Sequence, residues 1–162
     1  MLHNPHNFPI YSSFISKYSQ IVDQVCPMLQ SINIVMTDDE PCHLPPYLAK
    51  NPLYERGCFH SPFACKPQLE HQNSIYNDII MEVDSCYGYS IDELHALIAH
   101  EIGHFYVKYT NQILGHLPEE IEADRISCHM GLKDPLRSAI QIMLGNSTPV
   151  NAPILKERIK QL

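Results

Sequence analysis

Apolar positions recur at helical spacing early in the chain, with Phe14, Tyr18, Ile21, Val22, Val25 and Leu29 falling along one stripe. Ser12 or Ser13 offers an N-cap for that helix, and Pro27 marks its end or a kink. The period then changes to two: Ile32, Ile34 and Met36 alternate with polar or smaller residues, which predicts a short strand. Residues 37–56 carry several prolines and no sustained period, so a long loop is expected there. Residues 57–64 offer a second strand. After Asn77-Asp78 comes a compact β-prone run, Ile79, Ile80, Met81, Glu82 and Val83, which reads as a third strand.

Beyond residue 90 the pattern is helical throughout. Ser90 and Glu93 form a capping box, each satisfying a backbone donor at a helix start, and Leu94, Leu97, Ile98 and Phe105 follow at core-facing spacing. A helix from about Ile91 to Tyr109 is the expectation. A loop over residues 110–117, containing Gly115, precedes a second helix opened by Pro118 and closed by Gly131. Asp134-Pro135 opens a third helix, which Gly145 stops, and Asn151 caps a last one carrying Leu155 and Ile159. Strands early and helices late in 162 residues predict one α+β domain spanning 1–162.

Composition narrows the classes. The net charge is −7, and no window supplies the basic stripe that a nucleic-acid surface needs. No apolar run reaches the roughly 18 residues of a membrane span. The first residues show neither a basic start nor a small-residue cleavage site, so no signal peptide is expected. The six cysteines are widely scattered with no CxxC pair, which favours reduced, packed thiols and a cytoplasmic setting. Cys58 with His60, and Cys128 with His129, lack the second spaced pair that a metal site would need.

The informative residues are His100-Glu101-Ile102-Gly103-His104. Positions i and i+4 share a helix face, so both imidazoles can reach one ion, while Glu101 sits about 100° around the helix. In this HExxH arrangement two histidines hold zinc and the glutamate serves as general base. Ten histidines and ten glutamates in this chain would produce such a match by chance roughly four times in a hundred, so context must decide. The capped helix around the motif supplies part of it. Gly103 has two readings, a close approach by another segment, which is favoured, or a tolerated helix glycine.

A catalytic zinc needs a third protein ligand and one open position. The metzincin spacing would require Gly at 107 and His at 110, where Val107 and Thr110 stand. A glutamate from a following helix is the other common solution, and Glu119, Glu120 and Glu122 are available. Only Glu120 has a carboxylate, Asp124, four residues on, a like-charge pairing that is unfavourable unless something positive lies beside it. Glu120 is therefore expected as third ligand, and Asp124 as the acceptor that orients a liganding histidine. Glu119 is explained by the helix dipole alone.

With these two motifs in hand, the chain resembles the gluzincin zinc metallopeptidases. The Glu120-x-x-Ala123-Asp124 form is similar to that of the CAAX-protease and heat-shock membrane-protease branch. Lacking membrane helices, the chain looks most like the soluble single-domain minigluzincins, with ImmA/IrrE-type regulatory proteases, which share the HEIGH helix, as nearest competitor. The resemblance implies a minimal zincin-like fold: an upper subdomain (about 1–110) of an N-terminal helix and small sheet with the active-site helix, and a helical lower subdomain (about 111–162). It implies that the strand before the active-site helix, residues Ile79, Ile80, Met81, Glu82 and Val83, lines the cleft and pairs with an extended peptide substrate. It implies metal-assisted hydrolysis with one zinc ion, in which Glu101 takes a proton from water and passes it to the leaving amine. The alternative is a zinc-binding regulatory protein with idle machinery, or a latent one whose proline-rich loop or 146–162 segment covers the cleft. Tyr106, Tyr109, His116 and His129 are all available as oxyanion donors, and none is singled out.

Overall fold

The computed structural model of the chain describes residues 2–38, 62–71, 74–110, 112 and 114–162. Of the expected loop over 37–56, Thr37 and Asp38 instead end a strand, while the rest, like most of the 57–64 strand, lies outside them. Helix α1 runs Pro9–Val25. It starts earlier than Ser12 because Pro9 occupies its first turn, where a missing N–H costs nothing, and because Asn4 closes the entry from outside. Asn4 Oδ1 accepts from Phe8 N at 3.0 Å and its Nδ2 donates to Phe8 O at 2.9 Å. Tyr11, Phe14, Tyr18 and Val22 form the buried face. Pro27 ends the helix as expected and opens a short 3₁₀ turn, Pro27–Ser31.

Among the described residues, four strands form one sheet in the order β1-β2-β4-β3: β1 (Leu2–His3), β2 (Asn33–Asp38), β3 (Phe63–His71) and β4 (Ser74–Met81). β1 and β4 flank β2 in parallel, and β3 runs antiparallel on the outer side of β4, with Cys65 opposite Ile79. The run at residues 79–83 is thus a strand only as far as Met81. At Val83 the backbone is helical, and a 3₁₀ turn, Asp84–Cys86, follows. Tyr11 fastens α1 to the sheet, its hydroxyl donating to Thr37 O at 3.0 Å.

The other helices are α2 (Ile91–Tyr109), α3 (His116–His129), α4 (Lys133–Gly145) and α5 (Ala152–Gln161). Both halves of the Ser90–Glu93 capping box are made. α3 and α4 begin slightly before Pro118 and Pro135, which a helix tolerates because its first-turn amides have no intrahelical partner. α2 is the central element, packing on α1, α3, α4, β3 and β4, while α5 lies against α3 and α4. The chain is therefore a mixed α+β structure. No helix among the described residues is long and apolar enough to cross a membrane.

One buried group is out of place in this core. Asp78, in the middle of β4, is fully buried, and neither carboxylate oxygen has a hydrogen-bond partner among the described residues. Burial pushes its pKa up to about 7. A carboxyl whose folded pKa lies above its unfolded value stabilises the fold only while protonated, so stability should fall as pH rises from about 4 to about 7. Asp78→Asn is expected to flatten that decline, an effect of up to about 4 kcal/mol. Urea unfolding at pH 4.5 and 7.5 checks it, and parallel pH profiles for the two proteins would count against an unpaired Asp78.

Candidate metal centre

α2 and α3 cross at the point where Gly103 meets Ala123. A Cβ built on Gly103 would stand 2.6 Å from both the Ala123 Cα and its carbonyl oxygen. The favoured reading of Gly103 holds: only glycine admits the second helix this closely. Above the crossing, Ser127 Oγ donates to Ala96 O at 3.1 Å. This contact brings the His100–His104 face of α2 under the Glu120–Asp124 face of α3.

The expected donor atoms converge. His100 Nε2 and His104 Nε2 are 3.1 Å apart. Glu120 Oε2 lies 3.5 Å from the first and Glu120 Oε1 3.5 Å from the second. His100, His104 and Glu120 form a group that could hold a metal ion, with one ligand atom from each lying within 4.8 Å of the other two. The second expected contact is also present: His100 Nδ1 sits 2.8 Å from Asp124 Oδ1. That hydrogen bond fixes a ring proton on Nδ1 and turns Nε2 toward the donor cluster. Burial and the Arg158 guanidinium oppose a charge on His100, but Asp124 and Glu120 outweigh them and push its pKa up to about 9. Burial likewise resists ionisation of Glu120, yet His100, Arg158 and His104 hold its carboxyl well below the usual range.

Glu101 is 5% exposed and faces the same cavity, of about 670 Å³, as His100 and His104. Its Oε2 accepts the backbone N–H of Cys65 at 2.8 Å, a bond that uses an outward-pointing amide of β3. Ile79, Ile80, Met81, Glu82 and Val83 do not stand at the open sheet edge that the expected pairing with a substrate needs. β4 lies between β2 and β3, so both of its edges are already laddered. Ile79, Ile80 and Met81 are buried at 5% exposure or less. Glu82 and Val83 lie past the strand, and none of the five lines the cavity. The strand beside Glu101 is β3, which has no neighbour on its outer side among the described residues.

Two contacts were not anticipated. Glu119 Oε1 stands 3.1 Å from His104 Nδ1, so it does for His104 what Asp124 does for His100. Arg158, on α5, is 4% exposed and binds both Asp124 and Glu120. Of the aromatic and imidazole side chains considered as oxyanion donors, His116 lines the cavity, its Nδ1 3.8 Å from Glu120 Oε1. Tyr109 instead donates to Asn77 Oδ1 at 3.1 Å and ties the end of α2 to β4. The 146–162 segment forms one wall of the cavity through Asn146, Asn151, Leu155 and Arg158. The described cysteines, Cys26, Cys65, Cys86 and Cys128, are free thiols.

No family model matches this chain, and no curated protein or solved structure matches it either.

Proposed function

We propose that the protein is a zinc-dependent metallopeptidase of gluzincin type. The observation that carries this reading is the convergence of two imidazole nitrogens, 3.1 Å apart, on a carboxylate that sets one oxygen 3.5 Å from each of them. Ligands about 2.0–2.1 Å from a tetrahedral zinc stand about 3.3 Å apart, so this donor set is of the right type and spacing. His100, His104 and Glu120 would hold the ion at the wall of the cavity. When bound, zinc supplies Lewis-acid polarisation of a carbonyl and an acidified water.

The remaining work falls to the chain's own side chains. Asp124 and Glu119 fix the ring orientations of His100 and His104 through their Nδ1 atoms. Glu101 is not in the donor cluster but opens on the same cavity, which suits it to take a proton from water and deliver it to the leaving amine. Phe63, Leu97, Met143 and Leu155 give the cavity an apolar wall against which a substrate side chain can rest. The outer edge of β3 would present backbone groups to an extended peptide or protein segment.

Zinc binding and turnover test the reading together. The purified chain should bind one zinc ion and, zinc-loaded, cleave members of a diverse peptide library, with cleavage lost on chelation. Glu120→Ala is expected to weaken zinc binding by more than about 100-fold. Glu119→Ala should weaken it by about tenfold, the usual effect of removing a partner of a liganding histidine. Competition with a chromophoric chelator measures both. Equal losses in the two variants would move the third ligand away from Glu120, and a wild-type chain that takes up no zinc would end the proposal.

A further inference from the structure

Arg158 reaches the donor cluster from α5, more than thirty residues along the chain from its partners. Its Nε and Nη2 donate to Asp124 Oδ2 and Oδ1 at 2.8 and 2.7 Å, a two-pronged bond of guanidinium on carboxylate. Its Nη1 donates to Glu120 Oε2 at 2.7 Å. Nη2 also lies 3.3 Å from His100 Nδ1. One side chain therefore touches the third ligand, the carboxylate behind the first ligand, and the first ligand's ring.

We propose that Arg158 is a positioning residue of the metal centre: by holding Oε2 of Glu120 it presents Oε1 as the single oxygen donated to the ion. The inference rests on the reading of His100, His104 and Glu120 as ligands. It extends that reading by making α5 part of the site and Glu120 a one-oxygen ligand.

Three physical points support it. Free glutamate side chains have several rotamers, and fixing one costs entropy at the moment of binding unless the protein has already done so; the Nη1 bond does this for Glu120. Asp124, buried, and Glu120, partly buried, are like charges one helical turn apart, and a cation between them offsets their repulsion. The guanidinium, finally, stands on the Nδ1 side of His100, whereas the Nε2 atoms face each other on the opposite side of that ring. Its charge is thus taken up by the two carboxylates. Glu120, Asp124 and Arg158 together carry one net negative charge.

The competing view is that Arg158 merely staples α5 to the body. Zinc affinity of the folded full chain, measured by chelator competition, separates the two when paired with thermal unfolding in excess chelator. Arg158→Met should weaken zinc binding by about 10- to 100-fold. Arg158→Lys keeps the charge but loses the fork, and should recover part of that loss while remaining weaker than wild type. A staple alone would lower the unfolding temperature of the metal-free protein and leave the zinc affinity of the folded fraction at the wild-type value, which overturns the proposal. Should Arg158→Met not fold, Arg158→Lys decides alone, and wild-type affinity in it overturns the proposal equally. A wild-type chain that binds no zinc removes both this inference and the ligand reading beneath it. Wild-type binding with unaltered Arg158 variants removes this one only.

Discussion

Glu101→Gln is expected to leave zinc bound in full and to lower kcat/KM for peptide cleavage by about 10²- to 10⁴-fold, the range that a positioned general base contributes. The separation of the two effects follows from where Glu101 stands. It points into the cavity and not into the donor cluster, so the ligands keep their separations without it. Its Oε2 accepts a hydrogen bond from Cys65 N. A glutamine amide oxygen accepts the same bond, so β3 and α2 should stay in register and the fold should not register the change. What disappears is the basic oxygen that takes a proton from water. Metal content by mass spectrometry under native conditions and initial rates on a cleaved library peptide check both halves. Turnover unaffected by the substitution would show that Glu101 is not the base. Absence of turnover in the wild type as well, with zinc present, would favour the idle or latent alternative.

That prediction rests on residues that were legible in the sequence because their geometry is local. The spacing of His100 and His104 on one helix, the like-charge spacing of Glu120 and Asp124 on another, and the capping box that fixes where α2 begins all operate within a turn or two. Gly103 was legible for the same reason, since a glycine inside a strong helix asks for a cause. Contacts that depend on tertiary arrangement were not. Arg158 sits in Lys156-Glu157-Arg158-Ile159-Lys160, which looks like an exposed charged turn. The one hint was that Arg158 falls three residues after Leu155 and beside Ile159, within the apolar stripe of α5. Glu119 was assigned to the helix dipole because its partner, His104, lies on a different helix. The strand order was missed for a related reason. Nothing local says which strand neighbours which, although the unbroken Ile79-Ile80-Met81 run already carried the mark of a strand covered on both faces rather than one at an edge.

The close approach of α2 and α3 at Gly103 makes the second strong expectation, that Gly103→Ala damages stability and the metal site together. The added methyl would lie 2.6 Å from the Ala123 Cα, 2.6 Å from its carbonyl oxygen and 3.0 Å from its carbonyl carbon. These are backbone atoms in mid-helix, so no side chain can rotate away, and α2 and α3 must part by about 1 Å to restore ordinary contact. Overpacking of this kind costs about 1–3 kcal/mol. The better helix propensity of alanine returns about 1 kcal/mol at most. Unfolding in chelator should therefore come a few degrees lower, about 2–8 °C for a chain of this size. The more telling consequence is geometric. Gly103 adjoins His104, and Ala123 adjoins Asp124 one turn from Glu120, so parting the helices withdraws the carboxylates from the histidines. A shift of 1 Å at a reacting centre can cost about 100-fold in rate, and zinc affinity should drop with it. Gly145→Ala is the control, because a methyl there meets nothing within 4 Å, and it should leave both measurements near wild type. A Gly103→Ala protein with wild-type zinc affinity would mean that the separation of α2 and α3 does not set the donor geometry, and the ligand set would have to be drawn from α2 alone.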